Sequence, residues 1–144
     1  VAVRFFNVYG PRQNPKSPYS GVLSLITECL KNQRVFTLFG DGEQTRDFIF
    51  IQDVLLALHL IMSNSQAVHE VYNVATGKQS SLLNIITDYQ KVTDQSLSVE
   101  YLPARDGDII HSCADITKLK GLGFNSKYTL FLGLSDYWVS ASRN

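Results

Sequence analysis

The chain has 144 residues, of which 44% are apolar and 11% aromatic, and its 13 basic and 13 acidic residues cancel. That length is usual for one domain, and the apolar fraction is ample for a packed core. Balanced charge gives no reason to expect nucleic acid or an anionic membrane as a partner. No stretch approaches the roughly 20 apolar residues that a membrane helix needs. We therefore expect a globular protein that binds neither.

The cysteines and histidines show no metal-binding or disulfide pattern. Cys29 and Cys113 are distant and form no CxxC pair, and the three histidines have no ligand spacing. We expect no metal site, no disulfide framework and a reducing, cytoplasmic location.

The first elements predicted are a strand, a loop and a helix. The apolar residues from Val1 to Asn7 are typical of a buried strand. A chain that starts inside a strand, without Met, is expected to be a fragment or to have a non-ATG start. A Pro- and Ser-rich loop follows from Asn14 to Ser20, and helical spacing of apolar residues predicts a helix from Ser20-Gly21 to about Lys31.

The segment from Val35 to Val54 predicts a hairpin that presents an arginine. Asp41-Gly42 is a strong two-residue turn signal between strand-like residues. Arg46 opens the second predicted strand, in which Phe48 and Phe50 alternate with Ile49 and Ile51, so both faces are apolar and expected to be covered. A surface salt bridge of Arg46 with Asp47 or Glu43 and an anion-binding role both remain open.

The rest of the chain alternates between helices and strands. The helix predicted from Asp53 to about Asn64 has almost no polar face, which requires burial all round that so short a chain can hardly supply. Ser81, Asp115 and Thr129 are expected to begin helices. The other predicted elements are a strand over Glu70–Ala75, a helix to about Val92, a strand over Leu97–Leu102, a short helix ending at Gly121 and a last helix beyond Thr129.

Four segments resemble the extended short-chain dehydrogenase/reductase family of nucleotide-sugar epimerases and dehydratases. They are Arg4-Phe5-Phe6-Asn7-Val8-Tyr9-Gly10-Pro11-Arg12-Gln13, Gly40-Asp41-Gly42-Glu43-Gln44-Thr45-Arg46-Asp47-Phe48, Tyr72-Asn73-Val74-Ala75-Thr76-Gly77 and Pro103-Ala104-Arg105-Asp106-Gly107-Asp108. They occur in the family's order, and the resemblance spans nearly the whole chain. The loop and helix start at Ser17-Pro18-Tyr19-Ser20-Gly21-Val22 is similar to that of UDP-hexose 4-epimerases in particular.

The resemblance implies a nucleotide-sugar site. Arg46 and Arg105 would bind the diphosphate, a role that suits the planar, always charged guanidinium. The resemblance also implies that Asp108 approaches the ribose. The other implied substrate-binding residues are Asn7 near phosphate and sugar, the helix start at Gly21 and Val22, and Thr37, Leu38 and Phe39 beside the base.

Taken without the resemblance, three of these segments have simpler interpretations. Asn7-Val8-Tyr9-Gly10 would be a strand-to-turn exit. Phe39 would be a core residue, and the segment from Arg105 to Asp108 a polar turn.

Two parts that the family needs for catalysis are not in this sequence: a Gly-rich turn for NAD and a Tyr-x-x-x-Lys pair. We therefore expect residues 1–144 to be a single carboxyl-terminal substrate-binding domain, a small mixed α/β unit with orphan strands of a Rossmann-type sheet. It would bind a nucleotide sugar such as a UDP-hexose, would not be catalytic alone and would hold no cofactor, whereas the complete enzyme would use NAD.

Two alternatives to an epimerase part remain open. One is a natural truncation that acts as a non-catalytic binding or self-associating module. The other is part of a nucleotide-sugar dehydratase. In each case the apolar helix and the unpaired strand edges predict a homo-oligomer.

Overall fold

The computed structural model describes residues 1–14 and 21–143 as a mixed α/β fold. The predicted loop from Asn14 to Ser20, beyond Asn14 itself, falls on residues outside these ranges, as do the helix start at Ser20 and the resemblance at Ser17–Ser20. The helices are α1 (Val22–Lys31), α2 (Ile51–Ser63), α3 (Leu82–Thr93), α4 (Thr117–Gly121) and α5 (Leu130–Ser142). The strands are β1 (Ala2–Phe5), β2 (Val8–Tyr9), β3 (Phe36–Phe39), β4 (Thr45–Arg46), β5 (Ile49–Phe50), β6 (Val71–Val74), β7 (Ser80–Ser81) and β8 (Val99–Leu102).

The strands pair in twos, and three of the four pairs are parallel. β1 pairs with β6, β2 with β5 and β3 with β8 in parallel, whereas β4 and β7 are antiparallel. Parallel neighbours need a long crossover connection, commonly a helix. The chain provides at least one each time, because α1 and α2 lie between β1 and β6, α1 lies between β2 and β5, and α2 and α3 lie between β3 and β8.

The predicted hairpin at Asp41-Gly42 is wrong. Gly40 and Gly42 have positive φ values of 81° and 85°, but Asp41 is not a positive-φ residue, so the turn is not of the mirror-image type that closes a two-residue hairpin. The two strands instead take different partners. β3 pairs with β8, and the main chain beyond it continues that ladder from Gly40 N to Leu102 O.

The strand after the turn is shorter than predicted, but its alternation is confirmed. It is divided into β4 (Thr45–Arg46) and β5 (Ile49–Phe50), and α2 begins at Ile51 rather than at Asp53. Phe48 and Phe50 belong to one hydrophobic cluster, and Ile49 belongs to another. Both faces of the segment are therefore covered.

These two clusters form the core. The first lies among α1, α3, α5 and β3, and the second lies among α2, β6 and α4. Each large apolar side chain buried in them contributes roughly 1.5 to 3 kcal/mol. In the first cluster the fully buried Tyr89 keeps its hydroxyl paired, 2.8 Å from Thr27 Oγ1. Burial raises the pKa of the Tyr89 phenol well above its ordinary value, so the group stays neutral.

Some apolar side chains of α2 and β1 are exposed to solvent. On α2, Val54, Ala57 and Ile61 are buried, whereas Leu55 is 53% and Met62 84% exposed. The strand expected to be buried at the start of the chain is largely exposed, with Phe5 at 52%.

The predicted helix starts are confirmed at two of three positions. Ser81 Oγ accepts a hydrogen bond from Asn84 N at the start of α3, and Thr129 Oγ1 accepts one from Leu132 N at the start of α5. Asp115 accepts from Thr117 N, but the cap position of α4 is Ile116. No helix in the described ranges is long and apolar enough to cross a membrane, and the residues searched contain no cluster that could hold a metal ion.

Candidate functional site

A pocket of about 580 Å³ lies between the ends of several strands and the start of α1. The structure brings all nine residues implied by the resemblance to its lining: Asn7, Gly21, Val22, Thr37, Leu38, Phe39, Arg46, Arg105 and Asp108. They come from five separate parts of the sequence, so only the fold places them together. A pocket of this size is within the range of small-molecule sites.

Arg46 is held by main-chain oxygens rather than by an acidic side chain. Its Nη1 donates to Thr45 O at 2.8 Å and, more weakly, to Ile110 O at 3.5 Å. The predicted alternative, an ion pair with Asp47 or Glu43, is not found among the described residues. Arg46 is half-buried and lines the pocket, and among residues 1–14 and 21–143 its guanidinium has more donors than the acceptors it contacts, which suits binding of an anion.

Arg105 lies over the ring of Phe39. The guanidinium carbon is 3.6 Å from the ring centroid, a close cation–π contact. Phe39 ends β3 and is half-buried, while Arg105 lies in the exposed segment that follows β8. Phe39 therefore presents an aromatic ring to the pocket and is more than a core residue.

The segment that carries Arg105 and Asp108 is attached to β4. Asp108 N donates to Arg105 O at 3.2 Å, and Gly107 supports this turn with a φ of 83°. Further along, Thr45 N donates to Ile110 O and Ser112 N donates to Thr45 O. Thr45 Oγ1 also lies 3.0 Å from His111 Nδ1. The neighbour of Arg46 thus anchors the segment that carries the second arginine.

Asn7 is hydrogen-bonded to two residues that follow Arg46 in the chain. Its Nδ2 donates to Asp47 O at 2.9 Å, and its own carbonyl oxygen accepts from Ile49 N at 3.2 Å. The start of α1 adds main-chain groups, because Gly21 caps the helix without any side-chain hydrogen bond. A free helix start carries a partial positive charge that favours anions.

Other lining residues were not predicted from the sequence. Gln44 is the most informative, because its Nε2 donates to Phe39 O at 2.7 Å and so holds the main chain of the residue that carries the ring. It stands two residues before Arg46, and period-two alternation along an extended segment could have placed it beside that arginine. The remaining unpredicted lining residues are Phe5, Phe6, Val8, Tyr9, Gln13, Leu23, Leu25, Phe36, Phe48 and Leu82.

Tyr9 lines the pocket, but its side chain is mainly packed in the core. It is 3% exposed, and its hydroxyl donates to Leu130 O at 3.4 Å. Burial, with smaller contributions from the Asp53 and Asp136 carboxylates, raises the pKa of Tyr9 well above its ordinary value. The hydroxyl therefore stays neutral and attaches α5 rather than exchanging protons with a ligand.

The glycines near the turn do not form a dinucleotide cradle. A Cβ built on Gly42 would meet Leu83 Cδ2 and Cγ at 2.8 Å and Leu38 Cδ1 at 3.2 Å. Side chains of α3 and β3 thus fill the space beside this glycine. A phosphate-binding loop instead needs open space in which main-chain N–H groups point at the ligand. The residues present here do not fit the pyrophosphate of NAD.

Comparison with known proteins identifies nucleotide-sugar epimerases as relatives. Residues 1–75 match the NAD dependent epimerase/dehydratase family. The chain is 32% identical over 130 residues to UDP-glucose 4-epimerase of Mycolicibacterium smegmatis, an alignment that covers 90% of this chain and 41% of that protein. It spans about two-fifths of the length of the curated relatives it matches.

Solved structures agree with this fold closely. The UDP-glucose 4-epimerase of Thermotoga maritima, determined with UDP-glucose, superposes with a TM-score of 0.90 at 33% identity, covering 98% of this chain and 45% of that one. The UDP-glucuronic acid 4-epimerase of Bacillus cereus, in complex with UDP-glucuronic acid and NAD, gives 0.88 at 29% identity, with 98% and 44% covered.

Proposed function

This chain belongs to the NAD dependent epimerase/dehydratase family, and we propose that residues 1–144 are the part that binds the nucleotide sugar in an NAD-dependent epimerase. The substrate class we propose is a UDP-hexose. The observation that carries the proposal is the convergence of Arg46 and Arg105 on one pocket that also contains Phe39 and Asn7. Relatives whose structures contain UDP-glucose and UDP-glucuronic acid support it.

The pocket offers each chemical group of such a ligand a suitable partner. Two guanidinium groups and the α1 start provide positive charge for a diphosphate. Phe39 provides an aromatic surface for a base, and the Asp108 carboxylate can accept hydrogen bonds from ribose hydroxyls. Asn7 and Gln44 add polar groups that can orient the sugar end.

In this account the hydride chemistry comes from NAD held by residues outside 1–144. The described residues contribute binding and orientation of the substrate, which is how a protein positions the reactive atoms for a cofactor. Turnover of UDP-glucose by the purified chain with NAD alone would contradict this division of roles.

Binding of UDP tests the proposal directly. Calorimetry should show binding to the purified chain and a loss on Arg46→Ala on the order of 1.5 to 3 kcal/mol, because a charge-assisted contact disappears. Arg46→Lys should lose less, since the charge remains while the planar fork is lost. Arg34→Ala is the matched control, because Arg34 is exposed and does not line the pocket.

Equal loss for Arg46→Ala and Arg34→Ala would contradict a specific role for Arg46. Absence of any UDP binding by the unmodified chain would overturn the proposed function for this part.

A second candidate function, self-association, is favoured by the exposed apolar side chains of α2 and β1. It is compatible with the first, because these side chains, apart from Phe5, do not line the pocket.

A further inference from the structure

Asp47 is a fully buried carboxylate with an unusual number of partners. Its Oδ1 accepts from Thr76 N at 2.9 Å and from Thr76 Oγ1 at 2.7 Å. Its Oδ2 accepts from Gly77 N at 2.9 Å and from Ala114 N at 3.3 Å. A buried carboxylate is costly unless hydrogen bonds replace its water. The four donors here fill both oxygens.

Two partners of Asp47, Asn7 and Ala114, connect it to segments that build the pocket, whereas Thr76 and Gly77 lie outside the pocket lining. Ala114 ends the stretch that follows Asp108, and the main-chain carbonyl of Asp47 accepts from Asn7 Nδ2 at 2.9 Å. Arg46 is the preceding residue. Asp47 is therefore bonded to Asn7 and to the segment that follows Asp108, and it is adjacent to Arg46, although its own side chain does not line the pocket.

The second buried carboxylate provides a contrast within the same chain. Asp53 is 1% exposed and accepts from Lys127 N at 2.9 Å and from Tyr128 N at 3.1 Å. Neither partner lines the pocket, and both lie just before α5. Both carboxylates join distant segments, but only Asp47 joins segments that carry pocket residues.

We propose that Asp47 is a positioning residue, which sets the placement of Arg46 and Asn7 relative to the segment that carries Arg105 and Asp108. The inference rests on the proposed function for the identity of the ligand. Arg46 and Asn7 would each lose orientation if the carboxylate were changed, without losing any atom of their own. The expected result is weaker anion binding with the binding residues intact.

Asp47→Asn is the sharpest substitution, because it keeps the shape of the side chain. It replaces one acceptor oxygen with an NH₂ group that would face main-chain N–H donors, so those hydrogen bonds are lost. Asp53→Asn makes the same change at the control position. Both variants should lower Tm, since each leaves buried donors without an acceptor.

Two measurements separate positioning from general stability, both made well below the Tm of each variant. The first is calorimetry with UDP, for which Asp47→Asn should bind at least about tenfold more weakly, whereas Asp53→Asn should stay within about twofold. The second is the nitrogen–proton NMR spectrum of the ligand-free protein. The Asn7 side-chain amide and the Arg46 Nε–H signals should shift in Asp47→Asn and remain in place in Asp53→Asn.

Thr76→Val keeps the test decisive if Asp47→Asn does not fold. It removes one donor to Asp47 Oδ1 while retaining the shape of the side chain. It should shift the same two signals and weaken UDP binding by a smaller factor. Unchanged signals and unchanged affinity in this variant would overturn the inference.

The outcomes distinguish the two proposals. If the unmodified chain binds UDP and Asp47→Asn binds it equally well, the positioning role is wrong and the proposed function stands. If the unmodified chain does not bind UDP, the proposed function is wrong, and the NMR signals alone decide whether Asp47 positions Arg46 and Asn7. Equal weakening by Asp53→Asn would also overturn the positioning role.

Discussion

The Arg105 guanidinium lies 3.6 Å from the centroid of the Phe39 ring, so a cation covers one face of the aromatic ring in the pocket. The contact follows from strand register. β3 and β8 pair with Phe39 opposite Leu102, three residues before Arg105. A slip of one residue would turn Phe39 to the other face of the strand pair and separate the two groups.

Replacement of Phe39 tests whether the ring contributes to binding. Phe39→Leu keeps an apolar side chain but removes the π face, and UDP binding should weaken by about 1 kcal/mol. Phe39→Tyr keeps the ring and should bind UDP nearly as well as the unmodified chain. Calorimetry on both variants is the measurement, and equal affinities for Leu and Tyr would show that the ring is not used.

Gly133 on α5 allows close approach of Tyr9, which a methyl group would prevent. A Cβ at this position would lie 2.1 Å from Tyr9 Oη and 2.9 Å from Cζ, in a buried region. Gly133→Ala should therefore destabilise the fold by roughly 1 to 3 kcal/mol, despite the better helix propensity of Ala. Urea denaturation measures this change.

Gly121, the last residue of α4, is the matched control for that substitution. A Cβ there meets no atom within 4 Å, and the residue has no positive φ. Gly121→Ala should be neutral or stabilising by up to about 1 kcal/mol. If both variants lose the same stability, crowding against Tyr9 is not the cause.

Asp115 should make stability depend on acid pH. Hydrogen bonds from the side chain and main chain of Thr117 lower the pKa of the Asp115 carboxyl below its ordinary 3.8. A lowered folded-state pKa means that the contribution to stability is complete above the unfolded pKa and is lost as pH falls through the folded one. The difference in free energy of unfolding between the unmodified chain and Asp115→Asn should therefore shrink below about pH 4. A difference that stays constant with pH would contradict this.

Association should involve the exposed side of α2 and β1. Met62 is 84% exposed and Leu55 53%, and apolar patches of this kind are uncommon on soluble monomers. We expect a homodimer or higher assembly at micromolar concentration by light scattering. Met62→Lys should weaken this association. Val139→Lys should not, although Val139 is also an exposed apolar side chain, because it lies on α5. A monomer at all concentrations would contradict the prediction.

Local signals predicted much of the secondary structure, because caps and helical spacing act over a few residues. Ser81 and Thr129 each accept a hydrogen bond from a main-chain N–H three residues later, so their role could be inferred from sequence alone. The hairpin prediction failed because the partner of β3 lies some sixty residues further along the chain. Strand pairing over such a distance leaves no mark on the local pattern of Asp41-Gly42.

The candidate site could be predicted only through the resemblance. Physical reasoning on single segments left a surface ion pair for Arg46 and core packing for Phe39 as alternatives. Asp47 could not be recognised from its neighbours, because its carboxylate is bonded to residues 29, 30 and 67 positions away. The motif shows that Asp47 follows Arg46, but only the fold shows which donors surround it.

A crystal structure of the chain with UDP would show directly whether the two arginines bind the diphosphate. We expect the diphosphate between Arg46 and Arg105, with the uracil beside Phe39 and the ribose near Asp108. Hydrogen bonds from both guanidinium groups to phosphate oxygens would establish the clamp. UDP bound elsewhere, or bound in the pocket with both guanidinium groups directed away from its phosphates, would contradict the account.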